Sequence, residues 1–255
     1  PQTEQELSAR GDGAKEVVLY FEEGQQLSDL LLFIGYRAAG EVTVSVAAGT
    51  DWQIVQSGEE LDSVFVWNEI PVSYRTTCLG LVFSDASVNL MELVCLDENG
   101  EPVLPVNAMQ YPALFDEQEL YEDGITYQDQ TIFDEIYHGR TAYEFLHGLP
   151  IYENTHPPLG KTLISVGIAV FGVNPFGWRF MCVVFGSLMM PFIYLFGLRL
   201  TGKTRYACLA AVLLGTDFMH FTLSRIATID IIVAFFILGM FYFMYAFVVS
   251  EKRRY

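Results

Sequence analysis

One stretch of the chain, residues 133–161 (FDEIYHGRTAYEFLHGLPIYENTHPPLGK), holds most of the side chains able to move protons or hold charge. Asp134 and Glu135 are adjacent acids, His138 and Arg140 follow at helical spacing, and His147, His156 and Lys161 lie further along. In an acidic chain such a pair is ordinarily a solvated face. Beside an apolar surface, with a cation close by, it suits general-base chemistry, because burial raises a carboxylate's pKa while the cation keeps it ionised. His156-Pro157-Pro158-Leu159-Gly160-Lys161 reads either as a plain loop-to-helix junction fixed by its prolines or as a charged rim to the same site. Its Gly-Lys ending lacks the glycine spacing and preceding strand of a phosphate-binding P-loop.

Other candidates lie outside this stretch. Arg179 stands just inside a long apolar run, where an ionisable group is a functional candidate unless it snorkels to the interface. Arg225 and Asp230 bracket a short polar loop; Asp230 could serve only as a helix N-terminal charge, with Arg225 pairing to it. Asp217 and His220 precede that loop as polar helix contacts or site members. Trp52 and Trp67 are candidate carbohydrate-stacking aromatics, with core packing the alternative for each. No His/Cys/Asp cluster has structural-metal spacing, so no cofactor is required, although an acidic site could bind a divalent cation.

Two unlike halves must position these residues. Residues 1–158 carry 28 acidic and 5 basic side chains, net −23, whereas residues 159–255 carry 3 and 9, net +6. The first half repels nucleic acid and anionic lipid, which argues against a nucleic-acid partner. The second keeps its cations in clusters between apolar runs, as membrane proteins do. After a polar lead-in over 1–16, short runs rich in Val, Ile, Phe, Tyr and Thr at spacings near ten residues predict an extracytoplasmic all-β sandwich, or jelly roll, over 17–106. Trp52, Trp67, Met91-Glu92-Leu93 and Asp97-Glu98-Asn99-Gly100, in that order, resemble the galactose-binding-like jelly rolls, which often bind carbohydrate through exposed aromatics. An acidic linker over 107–130 and the chemistry-bearing loop over 131–158 follow.

From 159 to 255 the pattern predicts an interfacial helix at 159–173 and three membrane spans near 175–199, 206–221 and 229–249. Arg199, Lys203 and Arg205 crowd one loop, and Lys252, Arg253 and Arg254 follow the last span. That side is then cytoplasmic, with the 131–161 loop and the β-domain outside. Cys78 and Cys95 fall on two strand-like runs and could face each other across a hairpin; Cys182 and Cys208 read as buried thiols. The chain opens without a signal peptide, as if in mid-protein, and is expected to be an inactive fragment of a longer polypeptide with a membrane helix before it.

DEIYHGRTAYEF, YENTHPPLGK, NPFGWRFMCVVFGSLMMPFIYLFGLRL and DFMHFTLSRIATID, in order and spacing, resemble the protein O-mannosyltransferase family and its bacterial relatives over about residues 131–250. These are polytopic, membrane-embedded glycosyltransferases of the GT-C type. The resemblance implies a polyprenyl-phosphate mannose donor, a Ser or Thr hydroxyl of an extracytoplasmic protein as acceptor, and one inverting displacement. It makes Asp134 the catalytic base and places Glu135 against acceptor or sugar. Arg179 would meet the donor phosphate, His156 and Lys161 would line the donor side, Arg225 would bind donor, and His138, Arg140 and Asp230 would support them. A large β-domain ahead of the Asp-Glu pair departs from the family's short first loop and leaves the acceptor open. Two other readings stand beside this one: transfer of a different lipid-linked sugar onto lipid or cell-wall glycan, and a non-catalytic membrane-anchored carbohydrate-binding module.

Overall fold

The computed structural model of the chain describes residues 4–7, 14–37, 40–49, 51–61, 63–85, 87–118, 121 and 126–252. Most of the polar lead-in, part of the acidic linker, and Arg253 and Arg254 lie outside the described residues, as does the side chain of Lys252. The chain divides into two compact units, 1–131 and 132–255.

The first unit is all-β, as the alternating apolar pattern requires. Strands β1 (Lys15–Ile34), β2 (Gly40–Ala48), β3 (Asp51–Leu61), β4 (Val66–Phe83) and β5 (Leu90–Asp97) form one antiparallel sheet in the order β3-β2-β4-β1-β5. The jelly-roll expectation calls for two sheets; among the described residues the hydrogen bonding gives one. The reason lies in β1 and β4, which at 20 and 18 residues run through what would otherwise be separate strands. Register shifts on β1 between Tyr20 and Gln25 and between Leu27 and Asp29 let these strands bend without breaking the sheet. On β2, Val42, Val44 and Val46 are buried while Thr43 and Ser45 are half-buried, the period of two expected of a sheet with one packed face. Residues 30–34 of β1 are buried on both faces.

Two expectations for this unit are corrected. Cys78 and Cys95 are free thiols. Cys78 on β4 pairs with Tyr20 and Cys95 on β5 pairs with Leu30, so β1 lies between the two strands and the supposed hairpin does not exist. The described part of the 107–130 linker packs onto the sheet. Asn107 accepts from the Tyr20 N–H (2.9 Å) and donates to the Val18 carbonyl (2.8 Å), Leu114 is fully buried, and the Thr131 N–H donates to the Phe65 carbonyl (3.0 Å). These anchors have no period, which is why they read as linker.

The second unit is helical: α1 (Glu135–His147), α2 (Pro158–Phe171), α3 (Pro175–Thr201), α4 (Thr204–Gly215), α5 (Phe218–Leu223) and α6 (Asp230–Lys252). At 1.5 Å per residue the 14 residues of α2 extend about 21 Å, short of a hydrocarbon core of roughly 30 Å. Only two helices among the described residues are long and apolar enough to cross a membrane, 175–201 and 230–250. The second expected span, 206–221, is broken. Asp217 leaves the helix and its side chain accepts the His220 N–H (2.8 Å), capping α5 as a separate turn after α4. The return path survives the break. Near one end of α3 the Cys182 thiol donates to the Thr228 carbonyl (3.3 Å), and near the other Arg199 donates to the Tyr242 hydroxyl (3.1 Å). Helices α3 and α6 therefore run side by side in the same direction, and α4 and α5 carry the chain back between them.

Candidate active site

Helix α1 exists because Glu135, His138, Gly139 and Ala142 recur at helical spacing and bury one stripe. Unusually, that stripe begins with a carboxylate. Glu135 has no solvent exposure, and its two oxygens take four hydrogen bonds. Oε1 accepts from Arg179 Nε (2.7 Å) and the Ala227 N–H (2.7 Å), and Oε2 from Arg179 Nη2 (2.6 Å) and the Ile132 N–H (2.9 Å). One acid thus joins the turn before α1, the first turns of α3 and the loop before α6. The turn is tight: Phe133 is left-handed at φ 52°, a conformation costing a non-glycine residue roughly 1–2 kcal/mol, and the Glu135–Ile132 bond holds it closed.

Asp134, one residue earlier, has a different environment. It occupies the N-cap position of α1, yet its side chain makes no capping bond. With Tyr137, His138, Glu153, Thr155 and His156 it lines a cleft of about 240 Å³. His138 is 4% exposed and its Nδ1 is buried without a partner. Its ring meets that of His156 edge to face at 5.4 Å. Burial, followed by the nearby Lys161 and His156, holds the His138 imidazole below its ordinary value and so keeps it neutral.

The far wall of the cleft is held by Lys161. Its ammonium is buried and donates to the Glu153 carbonyl (2.9 Å) and to Glu153 Oε2. Burial alone would raise the Glu153 carboxyl, but hydrogen bonds from Lys161 and Thr155 outweigh it and hold the group at about 2. Glu153 Oε1 in turn meets His156 Nδ1 at 3.4 Å. Pro157 at the N-cap and Pro158 at the first position of α2 thus present His156 at the rim, and Gly160 lets α2 approach the start of α6. A Cβ there would stand 2.7 Å from Ile229 Cγ2.

Of the sequence-predicted residues, Asp134, His138 and His156 share the cleft. Glu135 and Arg179 bind each other, and Lys161 is committed to Glu153. Arg140 pairs with Glu144 (3.0 Å) and stacks on Tyr152 at 3.8 Å, fastening the chain that returns from α1 toward the cleft. Arg225 lines a separate cavity of about 490 Å³ with His220 and Ser224, its guanidinium 3.9 Å from the Phe221 ring centre, and Asp230 is exposed on the first turn of α6. In the β-unit Trp67 is core, 6% exposed and edge-on to Phe33 at 5.2 Å, which removes it as a carbohydrate platform. Trp52 is 53% exposed and covers Gly80 at the side of a hollow of about 400 Å³. Sequence reasoning missed Glu153, Thr155 and Tyr137. The signal was Glu153 eight residues before Lys161, hidden among many acids.

Residues 155–255 match the family described as dolichyl-phosphate-mannose-protein mannosyltransferase. A polyprenol-phosphate-mannose–protein mannosyltransferase of Mycobacterium tuberculosis is 34% identical over 116 residues, covering 43% of this chain and 22% of the relative. Its Corynebacterium glutamicum counterpart is 40% identical over 82 residues, 32% of this chain and 16% of the relative. Protein O-mannosyl-transferase 2 of Danio rerio is 30% identical over 131 residues, 45% and 17% of the respective chains. This chain spans about a fifth of the length of such curated relatives. The family match covers α2 to α6 and begins at the cleft wall that Thr155 and His156 supply. Over these helices the chain is similar to the dolichyl-phosphate-mannose-protein mannosyltransferase family.

Proposed function

We propose that this chain is part of a membrane glycosyltransferase that moves mannose from a polyprenyl-phosphate donor to a Ser or Thr hydroxyl of an extracytoplasmic protein, with Asp134 as general base. The observation that carries this reading is the contrast at the start of α1. Glu135 is saturated by four donors, whereas the Asp134 carboxylate makes no capping bond and lines a cleft with His138 and His156. A base must keep a lone pair free for the proton it takes, and Asp134 does.

In the step, the acceptor oxygen attacks the anomeric carbon, its proton passes to Asp134, and the bond from that carbon to the phosphate oxygen breaks with its electron pair leaving on the phosphate. One displacement inverts the anomeric centre. The leaving phosphate needs positive charge rather than a proton. His156 at the rim is the residue we assign to it. Arg179 and Lys161 act as positioning residues, the first through Glu135 and the second through Glu153. The basic cluster at Arg199, Lys203 and Arg205 lies at the opposite end of α3 from Arg179, which supports a cleft on the extracytoplasmic side.

The test is transfer of radiolabelled mannose from its polyprenyl-phosphate carrier to protein, in membranes containing the whole polypeptide. Asp134→Asn should abolish labelling while leaving membrane expression and thermal stability unchanged. Activity only with another lipid-linked sugar would overturn the donor, label in glycan or lipid would overturn the acceptor, and full activity of Asp134→Asn would remove it as base.

A further inference from the structure

One tryptophan of the β-unit has a setting that the transfer reaction does not use. Trp52 stands at the start of β3, the strand at one edge of the sheet, and is 53% exposed, whereas Trp67 and Trp178 are buried. Elsewhere β3 follows the usual defence of an edge strand, with Asp51, Glu59 and Glu60 exposed, so a large apolar ring in their company is out of place. Beneath that ring lies Gly80, in the interior of β4 and paired with Val18 on β1 and Ser45 on β2. A Cβ at Gly80 would stand 3.2 Å from Trp52 Cζ3 and 3.5 Å from Cη2. A glycine inside a strand gives up side-chain packing and marks a place where something approaches the backbone closely. Here it lets the six-membered ring of the indole lean over the sheet while half of the residue stays in solvent. Glu16, Ser45, Ile54 and Val82 complete the lining of the hollow beside it, about 400 Å³ in volume. That falls within the range of small-ligand sites, about 300–1,000 Å³.

We propose that this hollow binds a neutral hexopyranose, the terminal sugar of a glycan, stacked on Trp52. A pyranose carries C–H bonds on its faces and hydroxyls around its rim. The weakly positive C–H hydrogens lie well against the negative face of an indole, and Ile54 and Val82 offer apolar contact beside it. The rim hydroxyls need partners across the hollow: the Glu16 carboxylate accepts, and the Ser45 hydroxyl both donates and accepts. Charge selects among ligands of this shape. The half of the chain that holds the hollow is strongly acidic and Glu16 is in its wall, so an anionic sugar or a nucleotide is repelled. A peptide strand would add to the open edge of β3 rather than lie on the face of the sheet. The site is independent of the transfer reaction.

The experiment is a titration of the full chain, in a detergent without a sugar headgroup, with the methyl glycosides of mannose, glucose, galactose and glucuronic acid. Binding is read by saturation-transfer NMR on the glycoside and by protection of tryptophan fluorescence from acrylamide, which reaches Trp52 while Trp67 and Trp178 are buried. A neutral glycoside should bind saturably, with a dissociation constant on the order of 1 mM, and shield the fluorescence. Trp52→Ala, an exposed change that leaves the fold intact by circular dichroism, should weaken that binding about tenfold or more, and Trp52→Phe should restore part of it. Glu16→Gln should weaken it about threefold, as loss of a hydrogen-bonded charge does in a wet site. Glu60→Gln, an exposed acid elsewhere on β3, should change nothing. Absence of saturable binding by every neutral glycoside, equal binding by wild type and Trp52→Ala, or glucuronide binding as tight as that of the neutral sugars would overturn the proposal. So would a fall in oligomeric mass for Trp52→Ala, which would mean that a second copy of the chain covers this face.

Discussion

Two buried carboxylates, one in each unit, are handled in opposite ways. Glu135 in the helical unit receives four hydrogen bonds, two of them from a guanidinium fork. Glu92 in the β-unit receives one side-chain donor, Gln118, and has acids for neighbours. Burial pushes the Glu92 carboxyl up to about 8, so it keeps its proton at neutral pH. The difference teaches that burial of an acid does not by itself mark a catalytic group. A saturated buried carboxylate is a fastening, one buried among apolar residues and other acids keeps its proton, and the half-buried Asp134 beside the first is the one we assign as base.

The same Glu→Gln change at both positions should therefore give unlike results. At Glu135 it removes the carboxylate from the part-buried Arg179 and leaves a fully buried amide in its place, and breaking such a pair costs about 3–5 kcal/mol. Thermal unfolding in detergent should show that loss for Glu135→Gln and for Arg179→Met alike; a near-native midpoint in either would mean the pair is not the fastening described. Asp134→Asn should lower the transfer rate by about 10²–10⁴-fold, the usual contribution of a general base, with no shift in midpoint. A drop in stability as large as that of Glu135→Gln would merge the two acids into one structural role.

Lys161→Met comes next. It strips Glu153 of its main donor and should cost about 1–3 kcal/mol. Because Glu153 is held at about 2 in the folded state against an ordinary 4.5, its contribution is complete above 4.5 and lost as pH falls from there toward 2. Glu153→Gln should flatten that acid limb in a pH series of unfolding midpoints. His138, held below its ordinary 6.5, contributes stability that is present above 6.5 and declines as pH falls below it. His138→Gln should remove this shallower slope, and an unchanged slope would assign it to another group. Smallest of all, Glu92→Gln should move the unfolding midpoint at pH 7 very little, since a neutral amide replaces a carboxyl that burial already keeps neutral.

Much of the architecture could be read without coordinates. Long apolar runs need helices wherever the chain meets lipid, and Asn174-Pro175 and Gly202 mark the ends of α3 by local chemistry alone. Alternating Val42, Val44 and Val46 need a sheet. Asp134, His138 and His156 were also legible, because their residue types and the adjoining apolar segment already suggest a membrane-edge cleft. Asp217 was visible too: its side chain is costly inside an apolar helix and caps a new turn instead, which breaks the second expected span.

The pairings were decided only by the tertiary structure. Glu135 and Arg179 are 44 residues apart, and nothing local distinguishes a guanidinium meant for a phosphate from one meant for a carboxylate. Lys161 looks free in sequence and is bound in space. Strand order belongs to the same class: β1 enters between β4 and β5 and separates two cysteines that sequence proximity brings together. Periodicity reports which face of an element avoids water, a property each residue carries by itself. Charge compensation depends on distance between residues remote in the chain, so the roles of Glu135, Glu153 and Glu92 became readable only once the fold had set those distances.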